Sequence, residues 1–383
     1  MLKKLILIFL SWRIFLFIPL IASNYFLHPR EGFGYTLTLH FLSDNSPISN
    51  FFLYPWGNFD GIYYLLIAAQ GYTVNAGFFP LFPLSIKIAS SIFGPSADGL
   101  PFDPRQYFTA LILISTYFFL AIVVMYKLIL IDFKKNIAFW SIIFMLVFPT
   151  SFFFASIYSE SLFLLLTLLC FYFARKKKWL TASIFGALLT ATRVVGIAII
   201  PALLFEFLKT EKTFFKVKAL SLILTTLGIL SYMWFNFIKW GNALYFVQAQ
   251  GNLQNNRTVN SIVLFPQTIY RYAKILTSVS VAQYEWWIAL LEISVFIFAA
   301  TLLFVAWKKK IRFSYILFSI IALLIPASTG TFSALPRYVL ILFPIFIGLA
   351  LVRNKTVKIS YTIIGLILLF ILFMLFSKGY FVG

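Results

Sequence analysis

The chain is 383 residues long, 62% hydrophobic, 20% aromatic and only 11% charged. A soluble domain is about a quarter charged, so the composition excludes a soluble globular protein and makes the lipid bilayer a partner. A net charge of +20 would suggest nucleic acid in a soluble chain, but here Lys and Arg form short clusters between apolar segments and no nucleic-acid partner is expected.

In chain order, Lys3 and Lys4 precede an apolar stretch over 5–27. A basic start and an apolar run also fit a signal peptide; the stretch is read here as a retained first span. A span needs about 20 apolar residues, fewer where it is buried in protein. On that criterion the remaining spans are expected at 107–131, 136–149, 151–174, 179–192, 195–208, 219–238, 286–307, 313–326, 337–352 and 359–378, making eleven in a single integral-membrane domain over 1–383. Two connections are long, 28–106 and 239–285. Within the first, 62–70 and 81–93 are amphipathic, too short to span, and punctuated by Pro80, Pro83 and Pro95. They are expected to lie as helices on the membrane surface.

The basic clusters fall at 3–4, 127–135, 175–178, 209–218, 308–312 and 353–358, so that one side holds 20 of the 31 Lys and Arg. By the positive-inside rule that side and the N-terminus are cytoplasmic, in a plasma membrane, and both long connections are extracytoplasmic. The single Cys170 sits in an apolar run and permits no intrachain disulfide.

Ionisable groups near the outer face are costly and mark function by default. The carboxylates there are Glu31, Asp44, Asp60, Asp98, Asp103, Glu160, Glu285 and Glu292. Asp98 and Asp103 lie in a Pro/Gly-rich stretch and read as solvated turn residues. Asp60 lies in Trp56-Gly-Asn-Phe-Asp60-Gly-Ile-Tyr-Tyr, ahead of Gln70-Gly-Tyr72 and Phe78-Phe-Pro-Leu-Phe-Pro83. It could be a general base among aromatic rings; an Asp before Gly61 and a helical run is also a good N-cap. Tyr158-Ser-Glu160-Ser-Leu-Phe163 and Ala191-Thr-Arg193-Val-Val-Gly196 set an acid and an arginine in apolar context. Either Glu160 and Arg193 pair and fix the bundle, or Arg193 binds an anionic head group such as a lipid phosphate. Arg337, in Leu-Pro-Arg337-Tyr338, is a snorkelling interfacial residue or a second phosphate ligand. Converging carboxylates and clustered His or Cys are missing from the sequence, so no metal is expected, and without a glycine-rich phosphate loop no cofactor is expected.

Taken in this order, the segments resemble the PIG-V-like mannosyltransferases of the GT-C superfamily of membrane glycosyltransferases. The likeness runs over about 55–345 and includes Pro-Arg337-Tyr338-Val-Leu and a following Phe-Pro. It departs at Asn58-Phe59-Asp60, where the family usually has Arg-Trp-Asp: the acid is kept and the preceding Arg is lost. The resemblance implies an all-α polytopic membrane protein, a GT-C-like bundle of about 11 transmembrane helices with amphipathic surface helices in the first outer loop. It implies inverting transfer of a sugar, typically mannose, from a polyprenyl-phosphate donor to a glycolipid, glycan or protein acceptor outside the cytoplasm. Asp60 then maps onto the catalytic base. Arg193 and Arg337 would stabilise the departing phosphate, Glu160 with Tyr158 would position sugar hydroxyls or orient Arg193, and Tyr338 and Gln70 would complete the substrate-binding set.

The alternative from another class is a secondary transporter. It would carry ionisable residues at the midplane and Gly/Pro-broken spans in two related halves, and no half-to-half similarity is visible.

Overall fold

The computed structural model describes residues 1–40, 48–73, 76–94, 103–211, 217–251, 258 and 263–383. Asp44 and Asp98 lie outside them. Among the described residues the chain is helical without strands. Among the same residues five helices are long and apolar enough to cross a membrane: α1 (Leu2–Phe26), α4 (Pro104–Ile129), α9 (Lys218–Trp240), α12 (Tyr284–Lys308) and α16 (Lys355–Ser377). Between them run α2 (Asp60–Gln70), α3 (Leu81–Ser90), α5 (Lys135–Leu146), α6 (Glu160–Arg175), α7 (Trp179–Thr190) and α8 (Ile199–Glu211). The others are α10 (Tyr245–Gly251), α11 (Phe265–Ser278), α13 (Phe313–Ala327), α14 (Leu335–Tyr338) and α15 (Phe343–Ala350).

The long helices keep large apolar side chains exposed, among them Leu7 and Ile14 of α1, Ile112 of α4, Ile297 and Phe304 of α12 and Ile363 and Ile367 of α16. An exposed apolar girdle of this extent suits a lipid surrounding. The short helix α15 is apolar all round and wholly buried, and α6 is apolar and largely buried between its charged ends Glu160 and Arg175, as helices at the centre of a bundle must be. α6 packs most extensively on α4 and α7. Small residues bring α7 and α9 together: a Cβ on Gly228 would overlap the Ala187 carbonyl oxygen, and Thr190 Oγ1 donates to the Thr225 carbonyl at 2.9 Å.

Three expected spans are not continuous helices. Residues 151–159 form a 3-10 turn (Ser151–Phe154) and an irregular hairpin before α6 begins at Glu160. Val194–Ala198 is 3-10 helix ahead of α8, and 335–350 breaks at Leu342 between α14 and α15, with Pro344 in the first turn of α15. All three pieces are largely buried. Irregular backbone at membrane depth is tolerated only inside protein or along a cavity, and all three lie together at one end of the bundle.

The amphipathic stretches of the first long connection fold as α2 and α3 and pack on one another and on α4. α3 leaves Leu84 and Ile88 exposed, an apolar face suited to the membrane surface. The second long connection holds α10 and α11, whose polar composition had no span-like signal. Asp103 is a correction to the sequence reading. It is no solvated turn residue but the buried N-cap of α4, accepting from the Arg105 backbone N–H at 2.9 Å and pairing with the Arg105 guanidinium.

Candidate active site

Asp60 opens α2, and the residue before it sets its direction. Phe59 has φ 58° and ψ −117°, a region in which glycine alone is at ease. Its neighbours hold it there. The Phe59 N–H donates to the Thr36 carbonyl at 2.8 Å, and its ring packs on Phe376 and Phe381. Asn58 is locked on both sides, its Oδ1 accepting from Thr38 N–H at 3.1 Å and its Nδ2 donating to the carbonyls of Phe376 and Ser377 at 3.3 Å. The Asn58 amide thus ties the first long connection to the end of α16. Phe59, not Asp60, occupies the N-cap, and no side chain caps the helix. The capping role open to Asp60 in the sequence is therefore not the one it has.

The carboxylate turns instead toward the three irregular segments. Arg337 Nη1 donates to Asp60 Oδ2 at 2.5 Å, and Arg337 Nε lies 3.2 Å from Glu160 Oε1. Glu160 Oε1 also pairs with Arg193. Asp60, Arg337, Glu160 and Arg193 therefore form an alternating row of charges with no net charge. Side-chain exposure is 22% for Asp60, 7% for Arg337, 0% for Glu160 and 10% for Arg193. A buried row of this kind holds only because each charge has an opposite neighbour. Asp60 is its most open member. Glu160 stands in the first turn of α6, where the helix dipole favours an anion, and its Oε2 has no hydrogen-bond partner among the described residues.

Aromatic rings complete the row. The guanidinium of Arg193 lies 4.5 Å from the Tyr338 ring centre and that of Arg337 lies 5.1 Å from the Tyr158 ring centre, within cation–π range. Tyr158 Oη accepts from the Asp60 N–H at 3.3 Å and donates to the Asn58 carbonyl at 3.0 Å. One tyrosine therefore joins the head of α2 to the hairpin before α6. Gly61 permits the close approach: a Cβ there would sit 3.3 Å from the Ile157 carbonyl oxygen. Gly196 does the same behind Arg193, where a Cβ would come within 2.7 Å of the Leu189 carbonyl oxygen.

A cavity of about 40 Å³ opens onto the row, lined by Asp60, Tyr64, Phe78, Thr192, Arg193, Gln250, Arg337 and Tyr338. A water needs about 10–15 Å³ measured in this way, so the cavity takes a few waters and must widen for any larger ligand. Burial pushes the Tyr64 phenol above its ordinary range. It stays a neutral hydroxyl, 2.9 Å from Ser159 Oγ. Both carboxylates of the row are engaged by arginine, and among the described residues no three of His, Cys, Asp and Glu converge.

The structure thus brings together Asp60, Tyr158, Glu160, Arg193, Arg337 and Tyr338. It leaves Gln70 apart. Gln70 is the exposed last residue of α2, about 15 Å along the axis from Asp60 at 1.5 Å per residue. Sequence reasoning missed Tyr64 and Gln250. Tyr64 follows Asp60 by four positions, the spacing that puts two residues on one helix face, and could have been found. Gln250 comes from α10, where it donates to the Gly77 carbonyl at 2.8 Å, and no local pattern marks it.

A sequence-family profile described as Mannosyltransferase (PIG-V) matches residues 2–254. The match includes Asp60, Tyr158, Glu160 and Arg193; folding adds Arg337 and Tyr338 from beyond it. No curated protein matches the chain significantly.

Proposed function

The chain belongs to the PIG-V family of mannosyltransferases, and from that premise we propose that it moves mannose from polyprenyl phosphate to an acceptor hydroxyl outside the cytoplasm, inverting C1, with Asp60 as base. The observation that carries the reading is the contact of Arg337 with both Asp60 and Glu160. The acceptor oxygen attacks C1, its proton passes to Asp60, and the C1–O bond breaks with its electrons on the phosphate. The donor diester carries one negative charge and the departing monoester approaches two. Arginines that meet this phosphate bind the transition state more strongly than the donor, which is the condition for catalysis. A phosphate drawn to Arg337 and Arg193 competes with Asp60 for Arg337, so donor binding frees the base that the next step needs. In this reading the eleven apolar segments cross the membrane, the N-terminus is cytoplasmic, and the acceptor is a glycolipid, glycan or protein.

The donor's tail has a place to lie. An apolar groove of about 420 Å³ between α7 and α9 is lined by Tyr72, Pro80, Leu188, Ala191, Leu227 and Tyr232, among others. Ala191 adjoins Thr192 and Arg193 in the chain, so groove and polar cavity share a wall. A phosphate at Arg193 with an isoprenoid chain along α9 fits both.

The test is a transfer assay with the purified protein in vesicles, given labelled mannose either on polyprenyl phosphate or on a nucleoside diphosphate. Transfer from the lipid donor alone is expected. Ser231→Trp, which fills the groove, should lower kcat/KM for a long-chain donor by about 10–200-fold, the range for one altered apolar pocket, and leave a two-isoprene donor nearly unaffected. Transfer from the nucleotide sugar, or equal loss with both chain lengths, would refute the donor assignment.

A further inference from the structure

We propose that a second cavity, at the far end of α6 from Glu160, binds the anionic phosphate head of a membrane lipid. Arg175 closes α6 fifteen residues after Glu160, about 23 Å along the axis. Here Glu206 is fully buried. Arg312 Nε lies 2.8 and 2.6 Å from its two oxygens and Ser314 Oγ donates to it at 2.7 Å. Arg175 holds Asp132 through two hydrogen bonds, of 2.5 and 2.7 Å, and donates to Tyr315 Oη at 3.1 Å. Two arginines therefore neutralise two carboxylates and form a rigid floor.

Above that floor opens a cavity of about 420 Å³, lined by Asp132, Lys209, Trp307, Lys310, Arg312 and Phe313 among others. Lys209 and Lys310 make no ion pair with the described residues, so the cavity carries positive charge beyond what its acids balance. Its rim is aromatic: Trp307 is 52% and Phe313 37% exposed, as for rings at a membrane interface. A basic recess beside apolar rings and between membrane helices suits a lipid head group with its chains better than a free anion, which gains nothing from the rings.

Lys310 adds an independent sign. It follows the C-cap Lys309 of α12 and has φ 57°. Its N–H donates to the Trp307 carbonyl at 2.9 Å, and the Ile311 N–H donates to the Ala306 carbonyl at 3.0 Å. This is the helix terminus at which glycine is favoured. A lysine at that position strains the backbone and places an ammonium on the cavity wall.

The test uses the full chain in a neutral detergent, its Tm followed by tryptophan fluorescence during titration with phosphatidylglycerol, phosphatidylcholine or inorganic phosphate. Saturable stabilisation by phosphatidylglycerol alone is expected. In Lys209→Gln/Lys310→Gly the midpoint should move about thirtyfold higher, taking about fivefold for each basic residue near an anionic lipid. Lys310→Gly relieves the strained terminus, so without lipid the single variant should melt no lower than the parent, which separates lost binding from lost folding. Equal stabilisation by the zwitterionic lipid, an unchanged midpoint in the double variant, or the same effect from inorganic phosphate would overturn the proposal.

Discussion

Asp60→Asn is expected to lower kcat for mannosyl transfer by about 10²–10⁴-fold, the contribution of a positioned general base, with little change in Tm. The amide keeps the shape of the side chain but cannot take the acceptor's proton. Stability should hold because Asp60 does not cap α2 and is the most open of the four charges. Arg337 would also keep Glu160 at 3.2 Å and the face of Tyr158. Donor KM is expected to fall or stay level, since a phosphate no longer competes with a carboxylate for Arg337. Undiminished transfer by the folded variant would mean that another group is the base.

The converse is expected of Glu160. Glu160→Gln removes the one wholly buried carboxylate of the row, so Arg193 loses its carboxylate partner while Arg337 keeps only Asp60. Removing one partner of a buried pair costs about 3–5 kcal/mol, and low yield with an early thermal transition in detergent is the expected outcome. Adding Arg193→Met restores the charge balance, so Glu160→Gln/Arg193→Met should melt above Glu160→Gln alone while remaining inactive, because a phosphate ligand is gone. A Glu160→Gln protein that melts with the parent would show that the row does not hold the bundle. The pairing of Glu160 with Arg193 that the sequence allowed is present, and Arg337 links it to Asp60, the most open acid of the row.

Much of the fold could be read from residue types. Apolar run length and the alternation of basic clusters separated the polar groups into two sets, and each set meets in space: Asp60, Glu160, Arg193 and Arg337 at one end, Asp132, Arg175, Glu206 and Arg312 at the other. The helices α2 and α3 followed from their amphipathic spacing. Hydropathy could not separate α6 from the hairpin ahead of it, because buried irregular backbone is as apolar as a span; Phe152, Phe153 and Phe154 look like more helix. The contact of Arg337 with Asp60 joins residues 277 positions apart, and no local pattern encodes such a pair. The same holds for Gln250. Gln70 was misplaced for a simpler reason: nearness in sequence to a Gly-Tyr pair says nothing about which end of an 11-residue helix faces the site. The transporter alternative gives way to membership of the mannosyltransferase family.

The most direct test is an electron cryo-microscopy map of the protein with a polyprenyl-phosphate mannose analogue whose C1–O bond cannot break. The phosphate is expected between Arg193 and Arg337, the tail between α7 and α9, and the Asp60 carboxylate parted from Arg337 and facing C1 from the side opposite the phosphate. A phosphate bound elsewhere, with Asp60 and Arg337 still joined, would contradict the account.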